Sequence, residues 1–292
     1  MQKDIPKIYF DRNIGFDIEV ANFTQLSNKL KNAKNHDPFA PHRLEFFLIL
    51  ILSQNTYTHF VDFKSYTLKE GSALFIAKNQ VHHFTQALEE ADGIGIFFSQ
   101  LVMNKYYLLT KNLKLNRLFN YHIESPITHQ VEMGQDRLFD IAQILHEEYH
   151  YPNPFAKTEL LRTLLHALLL RAERAKENQS ISGVKTQWLE IFGQFRNLLE
   201  KEYINTRNSR DYASKLFISY KLLNDIVKKL TGKTVKAFID QFVSMEIKRY
   251  LVATPFSINE ISYKTGFEEP SNMVKFFKKN TKTTPLKFRQ SL

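Results

Sequence analysis

Two stretches near the C-terminal end decide the fold of this chain: DYASKLFISYKLLNDIVKKLTG, residues 211–232, and INEISYKTGFEEPSNMVKFFKKN, residues 258–280. In each stretch the pattern predicts a short helix, a tight turn and a second helix that carries basic residues. A helix-turn-helix of this kind places its second helix in the major groove of DNA. Two such units in one chain indicate a protein that binds two successive grooves, which is typical of a gene regulator and not of an enzyme.

Residues that begin and end helices support both units. Ser209 is expected to cap the first short helix, and Gly232 is expected to end the helix that follows the turn. Ser257 and Glu260 have the spacing of a capping box, and Gly266 stands where the second turn needs a left-handed residue. The same i, i+3, i+4 spacing of apolar residues predicts the buried face of both second helices: Leu223, Ile226 and Val227, and then Met273, Phe276 and Phe277.

The outward faces of the two second helices have the chemistry of a DNA-binding surface. Lysine contacts guanine O6 and N7, asparagine pairs with adenine through both amide atoms, and serine or tyrosine reaches phosphates or base edges. For any single residue, a solvated surface position is an equally good interpretation. The candidates are Ser219, Tyr220, Lys221, Asn224, Lys228, Ser271, Asn272, Lys275, Lys278 and Lys279.

The segment between the two units and the charge distribution both fit this interpretation. Residues 234–253 have a helical pattern that would be about 30 Å long, close to the roughly 34 Å between successive major grooves. Residues 1–184 hold 20 Lys/Arg and 20 Asp/Glu, whereas residues 185–292 hold 20 and 10. The whole net charge of +10 therefore lies in the last third of the chain, as expected for phosphate-backbone binding.

The first half of the chain reads as short strands followed by helices. Apolar runs at residues 44–52, 58–63, 73–77, 81–88 and 94–99, separated by turn residues, predict a small barrel or sandwich, with a tight hairpin-type turn at Gly71. Helical spacing follows at residues 135–150 and 155–175. The second of these helices is apolar over more than one stripe, which predicts either contact with a second copy of the chain at Leu165 and Leu169 or burial of both faces within one chain. The polar residues 176–183 read as a linker, so we expect domains at 1–180 and 181–292.

Composition limits the remaining possibilities. The chain has no cysteine, which excludes disulfides, thiolate metal sites and a cysteine nucleophile. The N-terminal residues have no apolar segment of the signal-peptide kind, and the longest apolar run is too short to cross a bilayer. We therefore expect a soluble, cytoplasmic protein without membrane contact.

The sequence from residue 218 to residue 289 resembles the DNA-binding domain of the AraC-type bacterial transcription regulators. Three positions depart from the family pattern: Val227 and Met273 stand where the family usually has aromatic residues, and Lys282 stands where it usually has glycine. The motifs that carry the resemblance are Lys228-Lys229, Thr231-Gly232-Lys233-Thr234, Lys248-Arg249, Ser257-Ile258-Asn259-Glu260-Ile261, Gly266-Phe267, Phe276-Phe277-Lys278-Lys279, Thr284-Pro285 and Phe288-Arg289.

The N-terminal half is similar in pattern to the cupin-like effector domain of that family. The similarity rests chiefly on Pro41-His42-Arg43, Gly71-Ser72 and Gln80-Val81-His82. It implies an α+β, multidomain protein with a cupin-like β-barrel and flanking helices before an all-α DNA-binding domain. It also implies an effector pocket, which we place at His42, Phe47 and His82. A homodimer, a small-molecule effector, an activating role and a contact with RNA polymerase are the partners and actions that follow from the resemblance.

Because some cupins are metal enzymes, the histidines define a rival hypothesis, an enzyme that carries a regulatory DNA-binding tail. Three convergent His or carboxylate ligands with an open position are needed for such a site. The sequence lacks two histidines one residue apart on a strand with a nearby glutamate, and His82 and His83 should point to opposite faces. We therefore predict no metal, no cofactor and no catalytic residues. Nucleotide-binding glycine loops and nucleophile elbows are also absent from the sequence.

Overall fold

Two units make up the chain in the computed structural model, which describes residues 4–10, 16–34, 36–109, 117–122, 125–129, 138–177 and 186–291. One unit comprises Pro6–Ile181, and the other comprises Ser182–Leu292 together with Met1–Ile5. The expected boundary at 180/181 and residues 178–183 of the expected linker lie outside the described residues. Among the described helices, none is long and apolar enough to cross a membrane.

The first unit is built on two five-stranded sheets. The first sheet has the order β1-β3-β8-β5-β6, and the second has the order β10-β7-β4-β9-β2. Only the β1–β3 pair is parallel among the strand pairs of the described residues. The strands are β1 Lys7–Ile8, β2 Ile18–Asn22, β3 His42–Leu44, β4 Phe47–Gln54, β5 Thr56–Val61, β6 Lys64–Lys69, β7 Ala73–Ile76, β8 Val81–His83, β9 Asp92–Phe98 and β10 Ile127–Thr128.

Strand β4 explains why one segment is almost continuously apolar. Leu48, Leu50 and Leu52 lie in the core between the two sheets. Phe47 and Ile51 lie in a second core, on the opposite face of the same sheet, against helices. Because successive side chains of a strand alternate between faces, a strand covered on both sides needs apolar residues at every position. The unit is therefore a two-sheet sandwich with a helical layer on its second sheet.

Helices cover the outer face of the second sheet. Leu161, Leu168 and Ala172 of α4 are buried in the same core as the inward residues of α3. Leu165 and Leu169 are buried there as well, so the prediction that these two face a second copy of the chain is wrong. The helices of this unit are α1 Phe23–Lys31, α2 Gln100–Leu109, α3 Leu138–His150 and α4 Lys157–Glu177. Residues 135–137 of the helix predicted at 135–150 lie outside the described part of the chain.

Several strand predictions were wrong in detail. The run at residues 44–52 is two strands, because Leu44 ends β3 in the first sheet and Phe47 begins β4 in the second. The run at 81–88 leaves the sheet after His83 and forms a 3-10 helix at Gln86–Glu90. Gly71 does adopt a left-handed φ of 75°, but its turn connects the two sheets and is not a hairpin.

The second unit is all α-helical within the residues that the structure describes. Helix α8 packs against α6, α7, α9, α10 and α11, and α5 packs on α6 and α7. Phe192 and Phe195 of α5 contact Phe238 of α8, with ring centroids 5.4 and 5.7 Å apart. The helices are α5 Thr186–Glu202, α6 Ser209–Lys215, α7 Tyr220–Thr231, α8 Val235–Ala253, α9 Ile258–Lys264, α10 Pro270–Thr281 and α11 Pro285–Gln290.

Candidate nucleic-acid interface

The first helix-turn-helix consists of α6 and α7. Asn208, and not Ser209, caps α6, because the Asn208 side chain accepts a hydrogen bond from Arg210 N–H. Ser219 caps α7 by accepting from Leu222 N–H at 3.1 Å. In the turn, Ile218 N–H donates to Ala213 O at 3.1 Å, and Ile218 itself is half-buried. Gly232 then ends α7 with a left-handed φ of 70°.

The buried face of α7 is the predicted one, since Leu223, Ile226 and Val227 have no exposed surface. Its outward face carries Ser219, Tyr220, Lys221 and Lys228, all of which are exposed.

Asn224 departs from the expected outward position. It is half-buried, and its Oδ1 accepts a hydrogen bond from Val235 N–H at 3.2 Å. Val235 is the first residue of α8, where backbone N–H groups have no partner within the helix. Reading adenine requires both the oxygen and the NH₂ group of the amide. The prediction that Asn224 reads adenine through both amide atoms is therefore corrected, because one of them stabilises the start of α8.

The second helix-turn-helix consists of α9 and α10 and follows the prediction closely. Ser257 and Glu260 form the capping box at the start of α9. Met273 and Phe277 are fully buried and Phe276 is half-buried, with its ring 5.3 Å from the ring of Phe267. The predicted DNA-contacting residues of α10 are all exposed: Ser271, Asn272, Lys275, Lys278 and Lys279.

A short loop after α5 contacts the turn between α9 and α10. Arg207 donates to Gly266 O at 2.5 Å, and its guanidinium lies 3.7 Å from the centre of the Phe267 ring. A Cβ on Gly266 would lie only 2.1 Å from Ile204 O. The second turn therefore requires glycine for two reasons, its φ of 76° and the approach of this loop. No local pattern indicates this contact, because Arg207 and Gly266 are 59 residues apart.

A single helix, α8, joins the two helix-turn-helix units. Helix α8 spans 19 residues, which corresponds to about 28 Å, and it packs against both α7 and α10. Glu246 and Arg249 form an ion pair inside this helix, with both side chains almost fully buried. One buried, internally paired helix thus fixes the separation of the two recognition helices.

Comparison with known proteins agrees with this geometry. Residues 212–291 match the model of a helix-turn-helix domain family. The chain is 22% identical over 262 residues to the HTH-type transcriptional activator RhaS of Escherichia coli O1:K1, covering 86% of this chain and 88% of RhaS. Residues 212–291 are thus a helix-turn-helix domain of the AraC type, and the chain as a whole is similar to a regulator of that type.

Two solved structures are also similar to this chain. ToxT from Vibrio cholerae is 12% identical, covers 94% of this chain with 98% of its own, and has a TM-score of 0.47. The C-terminal domain of the response regulator yesN from Fusobacterium nucleatum is 24% identical, covers 34% of this chain with 98% of its own, and has a TM-score of 0.32.

The N-terminal unit contains a cavity of about 880 Å³. His36, His42 and His82 line one part of it. Phe47, the third residue that we placed in the pocket, does not line it, because its ring points to the other face of the sheet and stacks on Phe98 at 5.4 Å. The apolar lining includes Leu26, Leu30, Leu44, Phe46, Leu48, Phe84 and Phe97.

A chain of hydrogen bonds runs through the buried histidines behind this cavity. Thr85 N–H donates to Tyr57 Oη at 3.4 Å, and Tyr57 Oη is hydrogen-bonded to His59 Nδ1 at 3.0 Å. His59 Nε2 is in turn hydrogen-bonded to His82 Nδ1 at 2.9 Å. His82 Nε2 is buried and has no hydrogen-bond partner among the described residues. The sequence offered one signal for Tyr57 and His59, their spacing of two residues on one strand face.

Burial keeps these rings neutral. It lowers the pKa of His42 to about 4 and that of His59 to about 3, and it lowers the pKa of His82 well below its ordinary value. His42 Nδ1 donates to Ala40 O at 2.9 Å. His83 points away from this group and stacks on Phe60 with ring centroids 4.7 Å apart. Within the described residues, no group of three His, Cys, Asp or Glu side chains is placed to hold a metal ion.

Proposed function

We propose that this AraC-type regulator recognises a specific DNA sequence by inserting α7 and α10 into two successive major grooves. The observation that carries the proposal is the pairing of α7 and α10 on either side of α8, each with exposed serine and lysine residues. The identity to a transcriptional activator over most of both chains supports an activating role. RNA polymerase is then a partner, and the cytoplasm is the place of action.

The proposed contacts divide into two kinds. Tyr220 and Lys221 near the start of α7, and Asn272 and Lys275 in α10, are at the ends that enter the groove and read base edges. The remaining residues bind phosphates or position the helix: Ser219, Lys228, Ser271, Lys278 and Lys279.

The test of the proposed function is selection of random-sequence duplex DNA by the full-length protein. We expect enrichment of two short elements about one helical turn, roughly 10 base pairs, apart. Enrichment of a single element would refute the tandem arrangement. If no sequence were enriched, sequence-specific binding itself would be refuted.

The selected DNA then separates base contacts from phosphate contacts. Lys221→Ala and Lys275→Ala are expected to cost about 1–3 kcal/mol and to relax one position each. A lysine that contacts phosphate instead weakens selected and random DNA equally and reduces the log–log salt slope by about 0.9. Lys64→Ala, which removes an exposed lysine of β6 in the N-terminal unit, is the matched control and should change neither quantity.

We assign the cavity of the N-terminal unit to a small effector that is mostly apolar and carries one hydrogen-bonding group. Such a group near His82 Nε2 would satisfy a buried polar atom that has no hydrogen-bond partner among the described residues, a deficit of about 1–3 kcal/mol. A medium-chain alcohol and the alkane of the same length are suitable probes. We expect the alcohol to raise the melting temperature of the wild-type protein more than the alkane does, and His82→Phe to remove that difference. Equal effects of both probes on the wild type would refute the requirement for a hydrogen-bonding group.

Dimerisation is part of the proposal, through apolar side chains that α3 and α4 leave uncovered. Ile144 of α3 is 51% exposed and Leu160 of α4 is 44% exposed. Ile144→Glu with Leu160→Glu should convert a dimer to a monomer in sedimentation experiments. An unchanged mass of the dimer would show that the interface does not depend on Ile144 and Leu160.

We propose no catalytic role for the N-terminal unit, in keeping with the regulatory relatives. Metal analysis of the purified protein tests the rival enzyme hypothesis. Stoichiometric iron, manganese or zinc would favour the enzyme.

A further inference from the structure

The turns of the two helix-turn-helix units have the same backbone geometry but different residues. In the second turn, Gly266 N–H donates to Tyr263 O at 3.1 Å and Phe267 N–H donates to Ser262 O at 3.0 Å. In the first turn, Phe217 N–H donates to Ser214 O at 3.0 Å, and the next residue donates to the carbonyl five residues earlier, as in the second turn. The φ values are 76° for Gly266 and 55° for Phe217. Phe217 in the first helix-turn-helix therefore occupies the position that Gly266 occupies in the second.

Phe217 is an unfavourable residue for this position in two respects. A side chain with a Cβ is strained in the left-handed region, which glycine enters freely. The ring is also 96% exposed, so burial does not offset the strain. Strained residues that the fold itself does not need are concentrated at functional sites. This points to a partner that covers the ring.

The position of Phe217 identifies the partner. It lies two residues before Ser219, the N-cap of α7, and its neighbours Tyr220 and Lys221 are exposed at the same helix end. That end of a recognition helix faces the major groove. The first turn of α7, all of it described, has no acidic residue that would repel phosphate. Deoxyribose and the thymine methyl group are the apolar surfaces that DNA offers beside the phosphates.

We propose that the ring of Phe217 packs against a deoxyribose or a thymine methyl group at the edge of the groove that α7 enters. The contact rests on the proposed function, and it adds a non-ionic part to the affinity for DNA. Because the strain is present in the free protein and the ring is covered only in the complex, stability and DNA affinity respond to substitution in opposite directions.

The test compares variants of the full-length protein on its selected DNA. Phe217→Gly and Phe217→Asn remove the ring and relieve the strain, since asparagine also tolerates left-handed φ. We expect both to raise the melting temperature and to weaken binding about five- to tenfold. Phe217→Tyr keeps the ring and should bind as the wild type does. Phe155→Asn is the matched control, because Phe155 is 83% exposed in the other unit, and it should leave binding unchanged.

Salt dependence separates this contact from the ionic ones. Phe217→Gly should weaken binding by the same factor at low and high salt, whereas loss of a phosphate contact reduces the log–log slope by about 0.9. Unchanged affinity of Phe217→Gly would overturn the contact, and so would weaker binding accompanied by a lower melting temperature. Normal DNA binding with lost transcription activation would assign Phe217 to a protein partner instead. If the wild-type protein selected no DNA, the proposed function would fail first, before any variant was compared.

Discussion

Replacement of Gly266 by alanine separates two physical reasons for a glycine in a turn. Gly266 and Gly232 both have left-handed φ, 76° and 70°. At Gly232 a new Cβ meets no described atom within 4 Å, whereas at Gly266 it would lie 2.1 Å from Ile204 O and 2.8 Å from Ile204 Cα. Gly232→Ala should therefore lower the free energy of unfolding by about 1 kcal/mol, the conformational penalty alone. Gly266→Ala should lower it by about 2–4 kcal/mol, because the loop after α5 must also move.

Denaturant unfolding of the full-length protein measures this difference. The single tryptophan, Trp188 in α5, reports on the C-terminal unit. Gly266→Ala should also weaken DNA binding beyond its effect on stability, since displacement of the loop breaks the Arg207 contacts that fix the second turn. Equal stability losses in the two alanine variants would refute the argument from the close approach of Ile204.

Three further predictions concern single side chains. Lys282 ends α10 with φ of 66°, so Lys282→Gly should raise the free energy of unfolding by about 1 kcal/mol in denaturant titration. Glu246→Ala removes the ion pair with buried Arg249 and should lower the free energy of unfolding by about 3 kcal/mol. Asp240→Ala removes the more exposed ion pair with Lys236 in the same helix and should lower it by at most about 0.5 kcal/mol in the same assay. Burial lowers the pKa of His42 from 6.5 to about 4, so the unfolded chain takes up a proton first as the pH falls. The stability that this group contributes is present above pH 6.5 and is lost toward pH 4, by about 3 kcal/mol. In His42→Gln the free energy of unfolding should therefore fall less steeply across that window, with the remaining fall due to the other buried histidines, His59 and His82.

The C-terminal unit was predictable because its signals are local. The capping box at Ser257 and the left-handed Gly232 and Gly266 act over a few residues, and helical spacing identifies a buried face without knowledge of its partner. Such local signals place a helix end to within about one residue. The N-cap of α6, for example, is Asn208 and not the predicted Ser209. The departures from the family pattern at Val227 and Met273 are both fully buried, so smaller side chains fill the same core positions.

The N-terminal unit was less predictable because strand pairing is non-local. Strand β6, Lys64–Lys69, is mostly polar and exposed, and no apolar run marks it. Leu44 and Phe47 belong to one predicted run but to different sheets. Glu45 is the single polar residue at the crossing, and one polar residue inside an apolar run does not mark a change of sheet. The alternation of faces along β4 also did not indicate on which face of the sheet Phe47 lies. Both faces of β4 are buried, so polarity could not indicate which face lines the cavity.

The correction at Asn224 changes which unit is expected to discriminate between bases. Its Oδ1 accepts from Val235 N–H, and the start of α8 would lose that bond in Asn224→Ala. Asn272 has the same residue type on an exposed position of α10, where both amide atoms are available for adenine. Phosphate contacts by lysine supply affinity with little sequence information. Discrimination by asparagine should therefore lie in the half of the DNA site that α10 occupies: Asn272→Ala should relax one base preference at unchanged stability, whereas Asn224→Ala should lower stability and relax none. A relaxed base preference in Asn224→Ala would show that its amide reads DNA as well as capping α8.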